Sequence, residues 1–329
     1  MTGLDSGPLA ATMPLGQPTG AAAELVGRDD ELRLLHGYAE QAARGVGQPV
    51  LVTGEPGAGK TVLVEAVATG CAAAGWRVLA GGAPPGTPPV AYGPFLTAWS
   101  GVESADGVGF GALLGALAAL GPLPAPLAQA WLFDRVAGSL RALTADRPVL
   151  LVIEDLHWAD PASVALLGFL AGPIRDQRVL LLLTARPGVI DGIELPAARR
   201  VRLEGLPPAA TRSLVRSVLG PAAEETLVAE LARRAGGNPY FARELAVSCP
   251  AGGAGCPATL RAVLVRRLRE LGPGAPELLA AVQAAGEDAD EELLTAVLGP
   301  DVGPVVGPVV AAARAAGVLR AGPRPGAVR

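Results

Sequence analysis

Short apolar runs alternate with stretches of helical periodicity over the first two-thirds of the chain. Val149-Leu150-Leu151-Val152-Ile153 and Val179–Leu183 are continuous apolar runs, the pattern of strands buried on both faces of a parallel sheet. Val50-Leu51-Val52-Thr53 is a shorter run of the same kind, and Arg77–Ala80 and Val201–Leu203 predict two further strands. Between them lie predicted helices: about Asp29 to Arg44, with Leu32, Leu35 and Ala39 on one face; Thr61–Ala74; two or three between Pro94 and Ala145; and one opened by Asp160-Pro161, with Asp as N-cap and Pro at the first helical position. Residues 81–93 are rich in Pro and Gly and predict a loop. Strands alternating with helices over residues 25–205 predict an α/β fold with a doubly wound parallel sheet. After Gly205-Leu206-Pro207 the pattern turns all-helical, at 208–219, 222–235 and 239–247, and again over 258–316 beyond a Gly-rich loop. Residues 1–22 show no period and predict a disordered leader.

Composition narrows the function classes. The net charge is −4 and no Arg-rich face or tail stands out, which argues against direct nucleic-acid binding and against a DNA-binding replication- or repair-type role. The densest basic cluster, Arg266, Arg267 and Arg269, sits with Glu270 in a helical pattern and predicts a solvated face. Gly and Pro break the longest apolar stretches before they could span a bilayer, and the N-terminus lacks a signal pattern, so a soluble cytoplasmic protein with no membrane partner is expected. Three cysteines, Cys71, Cys249 and Cys256, without a completing His set predict free thiols rather than a zinc site. Every basic residue is arginine except Lys60.

That lone lysine closes Gly54-Glu55-Pro56-Gly57-Ala58-Gly59-Lys60-Thr61, a P-loop with an apolar strand before it and a helix, beginning with Val62, after it. Glycines are needed there because backbone N–H groups must close on phosphate oxygens with no Cβ in the way. The phosphates then lie at a helix N-terminus, where unpaired N–H groups and the dipole favour anions. Lys60 would reach the β- and γ-phosphates, and the Thr61 hydroxyl would bind Mg²⁺. Glu154-Asp155 ends the strongest apolar run: one carboxylate can hold the Mg²⁺ hydration shell while its neighbour orients or deprotonates the attacking water, in either order. Thr184 and Arg186 follow the next run, at the strand ends where open α/β sheets bind ligands, and Arg186 can contact a γ-phosphate. His157 reads as structural. Gly236-Gly237-Asn238-Pro239 is a helix stop followed by an Asn cap.

Together these residues resemble the signal-transduction ATPases with numerous domains (STAND), within the AAA+-like P-loop proteins, and most closely the ATPase region of large LuxR-type transcriptional regulators. The resemblance rests on the P-loop, Val26-Gly27-Arg28-Asp29, Tyr92-Gly93-Pro94-Phe95, Glu154-Asp155-Leu156-His157-Trp158-Ala159-Asp160, Thr184-Ala185-Arg186-Pro187 and Gly236-Gly237-Asn238-Pro239-Tyr240-Phe241. It implies that Val26, Gly27 and Arg28 pack on adenine, that Arg186 is a sensor arginine, and that Pro239 meets the adenine from a helical lid. The implied domains are a P-loop ATPase domain at 23–205, the lid at 206–250 and a partial winged-helix-like domain at 257–329. The implied function is a slowly hydrolysing ATP switch with Mg²⁺ in a regulator of transcription. Self-association or downstream regulatory domains are its expected partners, and a nucleotide-binding module without turnover is the alternative. The first acid of the strand-end pair is Glu154, where P-loop ATPases more often have Asp, which implies slow hydrolysis. By the same resemblance the chain stops before a winged-helix hairpin would be complete; a fragment, an isolated module and a truncated reading frame all fit.

Overall fold

Five strands form one parallel sheet in the computed structural model, which describes residues 25–83, 90–100, 109–188, 195, 198–249, 274–285, 289–315 and 319. In chain order they are β1 (Gln48–Gly54), β2 (Arg77–Gly82), β3 (Val149–Glu154), β4 (Val179–Ala185) and β5 (Arg199–Leu203), arranged β2-β3-β4-β1-β5. The helices of this part are α1 (Asp29–Ala43), α2 (Lys60–Ala73), α3 (Gly93–Trp99), α4 (Phe110–Ala119), α5 (Ala125–Leu143) and α6 (Pro161–Leu170).

The two continuous apolar runs are the sheet's interior, and alternation sends their side chains to opposite faces. Val50, Val52, Leu150, Val152, Leu180 and Leu182 pack with residues of α1 and α2. Leu51, Leu151, Ile153, Leu181 and Leu183 pack with α3 to α6. Layers on both faces explain why β3 and β4 carry no polar alternation. At the edge, β5 alternates: Val201 and Leu203 are buried while Arg199, Arg200 and Arg202 are exposed.

Three strands run further than their apolar residues suggested. The β1 strand begins at Gln48 and ends at Gly54, and β2 takes in Gly81 and Gly82, which the Pro/Gly-rich stretch had placed in a loop. Thr184 and Ala185 extend β4 because they pair with Val52 and Thr53 of β1; ladder pairing, not hydrophobicity, sets that end.

The described residues divide into two compact units, the first ending at Glu204 and the second beginning at Gly205. In the second, α7 (Pro208–Leu219), α8 (Glu225–Ala235) and α9 (Pro239–Val247) pack around Val215, Val228, Leu231 and Leu245. Two more helices, α10 (Ala275–Ala285) and α11 (Glu291–Ala315, kinked at Gly299), share a separate cluster with Leu278, Val282 and Val310. Cys249 is disulfide-bonded, which corrects the expectation of three free thiols. The predicted leader at 1–22, the helical pattern around Arg266–Glu270 and the last residues lie outside the described residues.

Candidate nucleotide site

The ends of β1, β3 and β4 build the site. Gly57 and Gly59 of the loop after β1 adopt left-handed backbone, with φ of 79° and 91°. Gly59 immediately precedes α2, and a side chain there would strain the turn that aims the first N–H groups of the helix into the loop. No acidic residue of its own occupies the first turn of α2, which leaves its positive end to attract anions from elsewhere. The loop closes on itself through Ala58 N–H to the Glu55 carbonyl, 3.0 Å. Lys60 Nζ curls back over it, donating to the carbonyls of Gly54 (2.8 Å) and Glu55 (3.2 Å). Burial lowers the Lys60 pKa, and the Asp155 carboxylate is the strongest influence opposing it. Glu55 and Pro56 are exposed, and Val62 is half-buried behind Thr61.

One contact joins the loop to the sheet's acidic end: the Thr61 hydroxyl donates to Glu154 Oε2 at 2.8 Å. Burial pushes the Glu154 carboxyl upward, the Thr61 bond works against that, and the charges of Asp155 and Glu65 add to it. A hydroxyl and a desolvated carboxylate oxygen side by side, below an anion-binding loop, are hard oxygen donors that fit Mg²⁺. A cation there would remove the cost of ionising Glu154. No group of three or more His, Cys, Asp or Glu gathers among the described residues. Mg²⁺ commonly takes one or two carboxylates and completes its shell with phosphates and water.

Asp155 is held differently. It takes a left-handed backbone (φ 54°, ψ 49°), unusual for a residue with a Cβ, and its N–H donates to the hydroxyl of buried Thr184 at 2.9 Å. The chain then makes a 3₁₀ turn, Leu156–Trp158, and re-enters a helix at Asp160. The Asp160 carboxylate is buried. It accepts from Ser163 N–H (2.8 Å) and the Ser163 hydroxyl (2.6 Å), and also from Tyr92 N–H (3.1 Å), the residue before α3. The N-cap was legible in Asp160-Pro161; the tie to Tyr92, across a gap of many residues, was not. The exposed Arg186 guanidinium lies 5.8 Å from the centroid of the Trp158 ring, a cation–π distance.

Arg28 makes contacts that sequence reasoning did not find. Only 4% exposed, it donates from one nitrogen to Glu31 (2.9 Å) and from the other to the carbonyls of Ala58 (3.1 Å) and Glu204 (2.6 Å). It therefore ties the segment before α1, where Val26 and Gly27 lie, to the loop and to the residue after β5. The one available signal was its type, since a planar five-donor cation suits several carbonyl acceptors at once. Pro239 belongs to the second unit, at the first position of α9, where the Asn238 side chain accepts from Phe241 N–H at 3.1 Å.

Residues 24–183 match the AAA ATPase domain. This AAA-type segment includes the whole loop and the acidic pair and ends one residue before Thr184. Among solved structures, the chain is similar to a STAND protein with a tetratricopeptide repeat sensor from Pyrococcus horikoshii, at 18% identity and a TM-score of 0.56 over 90% of this chain. It spans 40% of that protein's chain. It is also similar to a Drosophila ORC structure bound to DNA, at 14% identity and a TM-score of 0.51, covering 98% of this chain and 84% of that one. A RuvB mutant from Thermotoga maritima aligns at 17% identity with a TM-score of 0.44, over 94% and 95% of the two chains. At such identities the likeness is one of fold. No curated protein matches the chain. Among the described residues, no helix is long and apolar enough to cross a membrane.

Proposed function

We propose that the chain is the ATP-operated switch of a signal-transduction ATPase, of the kind found in LuxR-type transcriptional regulators, working in the cytoplasm with Mg²⁺. The observation that carries the reading is the 2.8 Å bond between Thr61 and Glu154, which joins the anion-binding loop to a carboxylate at the end of β3. The backbone of Gly54–Thr61 and the Lys60 ammonium take the phosphates. Lys60 exchanges its two carbonyl partners for phosphate oxygens. Thr61 and Glu154 hold the Mg²⁺, and Asp155 orients a water and accepts its proton. The water oxygen bonds to the γ-phosphorus as the bond to the β–γ bridging oxygen breaks, leaving ADP and phosphate. Arg186 leaves the Trp158 ring to read the γ-phosphate. Val26, Gly27 and Arg28 lie on the adenine side, with Pro239 approaching from a lid formed by 206–250. Residues 257–329 then begin a winged-helix-like domain. Lid closure is a two-state element biased by the γ-phosphate, and turnover resets it.

Lys60→Ala tests the binding claim. Losing a charged donor to phosphate costs about 1.5–3 kcal/mol, so ATP affinity by calorimetry should fall roughly ten- to hundredfold. Unchanged affinity would overturn the proposal. A second reading, a module that binds nucleotide without turning it over, is favoured by one residue: Glu154, with its raised pKa, where Asp is more usual. Phosphate release from the purified chain separates the two.

A further inference from the structure

His157 is next to the acidic pair and is used by none of the roles above. It lies in the 3₁₀ turn after Asp155 with its side chain 6% exposed, yet neither ring nitrogen has a hydrogen-bond partner. Leaving a buried polar atom unpaired costs about 1–3 kcal/mol, so such atoms are rare and call for an explanation. Nδ1 lies 3.8 Å from Asp155 Oδ1, about 0.8 Å beyond an ordinary hydrogen bond. The Trp158 indole packs against the ring, centroid to centroid 5.3 Å. Burial lowers the His157 pKa; Asp155 pulls it upward, and Arg186 and Lys60 add to the lowering. A neutral ring carries one N–H and one lone pair, and the nearby acceptor is Asp155. Asp155 is fixed at its backbone by Thr184, but among the described residues its carboxylate accepts no hydrogen bond. The buried Nδ1 thus lies unpaired near a partly exposed carboxylate oxygen that has no protein donor, and a small rotation joins the two.

We infer that His157 is the positioning residue of Asp155: in the nucleotide-bound protein its Nδ1–H donates to Asp155 Oδ1 and fixes the carboxylate toward the attacking water. This rests on the reading of Asp155 as the water-orienting group. A carboxylate held by its main chain alone swings about χ1 and χ2, whereas one held at both ends presents a single lone pair to the water.

The chain has two histidines, His36 and His157, so histidine-labelled ¹⁵N spectra of the full protein contain two rings, and His157→Asn identifies the second. With Mg²⁺ and a non-hydrolysable ATP analogue, His157 should settle in the Nδ1–H tautomer, and Asp155→Asn should weaken that preference. His157→Asn keeps a donor near the Nδ1 position and should retain at least half of the turnover. His157→Gln puts its amide near the Nε2 position and should lose roughly tenfold in turnover with ATP affinity within about twofold. An Nε2–H tautomer in the nucleotide-bound protein, or equal turnover in the Asn and Gln variants, would overturn the inference. If the wild type binds nucleotide but releases no phosphate, the hydrolysis reading fails, and the tautomer still decides the His157–Asp155 bond.

Discussion

The two faces of the sheet are built from different materials. Under α1 and α2 the buried side chains are aliphatic and often small: Ala39, Ala42, Val64, Val67, Ala68 and Cys71 against Val50, Val52 and Val152. Under α3 to α6 an aromatic group joins the leucines: Phe95, Trp99 and Phe110 meet with centroids 5.7–6.0 Å apart, and Tyr92 joins through Phe110 at 5.8 Å. Small residues line the α2 side, and Thr61 at the start of α2 bonds Glu154. Large rings from α3 and α4, with Phe133 of α5, fill that side. The difference teaches that the loop and its lysine belong to the aliphatic side, and that the aromatic side reaches them through the turn after β3. There Glu154 faces the loop, while Asp160, just along the chain, anchors Tyr92 and the aromatic side.

Substitutions on either side of that junction test the contrast. The largest effect is expected from Asp155→Asn, because Asn tolerates left-handed backbone and keeps the N–H bond to Thr184. Turnover should drop by about 10²–10⁴ with ATP binding retained; an unchanged rate of phosphate release would remove Asp155 from the chemistry. Next comes Arg28→Met, which strands the carbonyls of Ala58 and Glu204 on the aliphatic face. Urea unfolding should show a loss of about 3 kcal/mol, and a loss below about 1 kcal/mol would mean water replaces the guanidinium freely. Asp160→Ala should cost about 1–2 kcal/mol in thermal stability and alter the near-ultraviolet dichroism of the aromatic face. ATP affinity should stay within about twofold of wild type. A parallel fall in affinity would show that the faces are coupled through residues 154–160.

The smallest effect is one of pH. Burial raises the Glu154 pKa in the folded chain, so the folded state binds this proton more readily than the unfolded state. Glu154 therefore lowers stability as pH rises from the ordinary glutamate range through its raised value. Mg²⁺ needs the ionised carboxylate, so Mg-ATP affinity should climb over the same window. Opposite slopes in denaturation and in nucleotide titration, both flattened by Glu154→Gln, are the expected signature; slopes of the same sign would count against Glu154 as the metal-facing acid.

Much of the α/β core was legible because its signals are local. Continuous apolar runs gave β3 and β4, the glycines and Lys60 gave the loop, and Asp160-Pro161 gave the start of α6. Strand ends were blurred because Thr184 and Ala185 are held by pairing rather than by hydrophobicity. The contacts that orient the site were hidden for a different reason. Arg28 binds carbonyls of Ala58 and Glu204, Tyr92 binds Asp160, and Asp155 binds Thr184, and each pair is far apart in sequence. A backbone partner leaves no residue type to search for. His157 was legible only as structural; its burial and its distance from Asp155 say more.

The solitary lysine has a practical consequence. With every other basic side chain an arginine, Lys60 Nζ is the only side-chain amine in the protein, and it rests on two carbonyls of its own loop. Acylating reagents thus have one side-chain target, the phosphate cradle itself, besides the α-amino group. The extent of labelling, read by mass spectrometry, becomes a direct occupancy meter for the loop in any mixture, with no fluorophore or engineered tag.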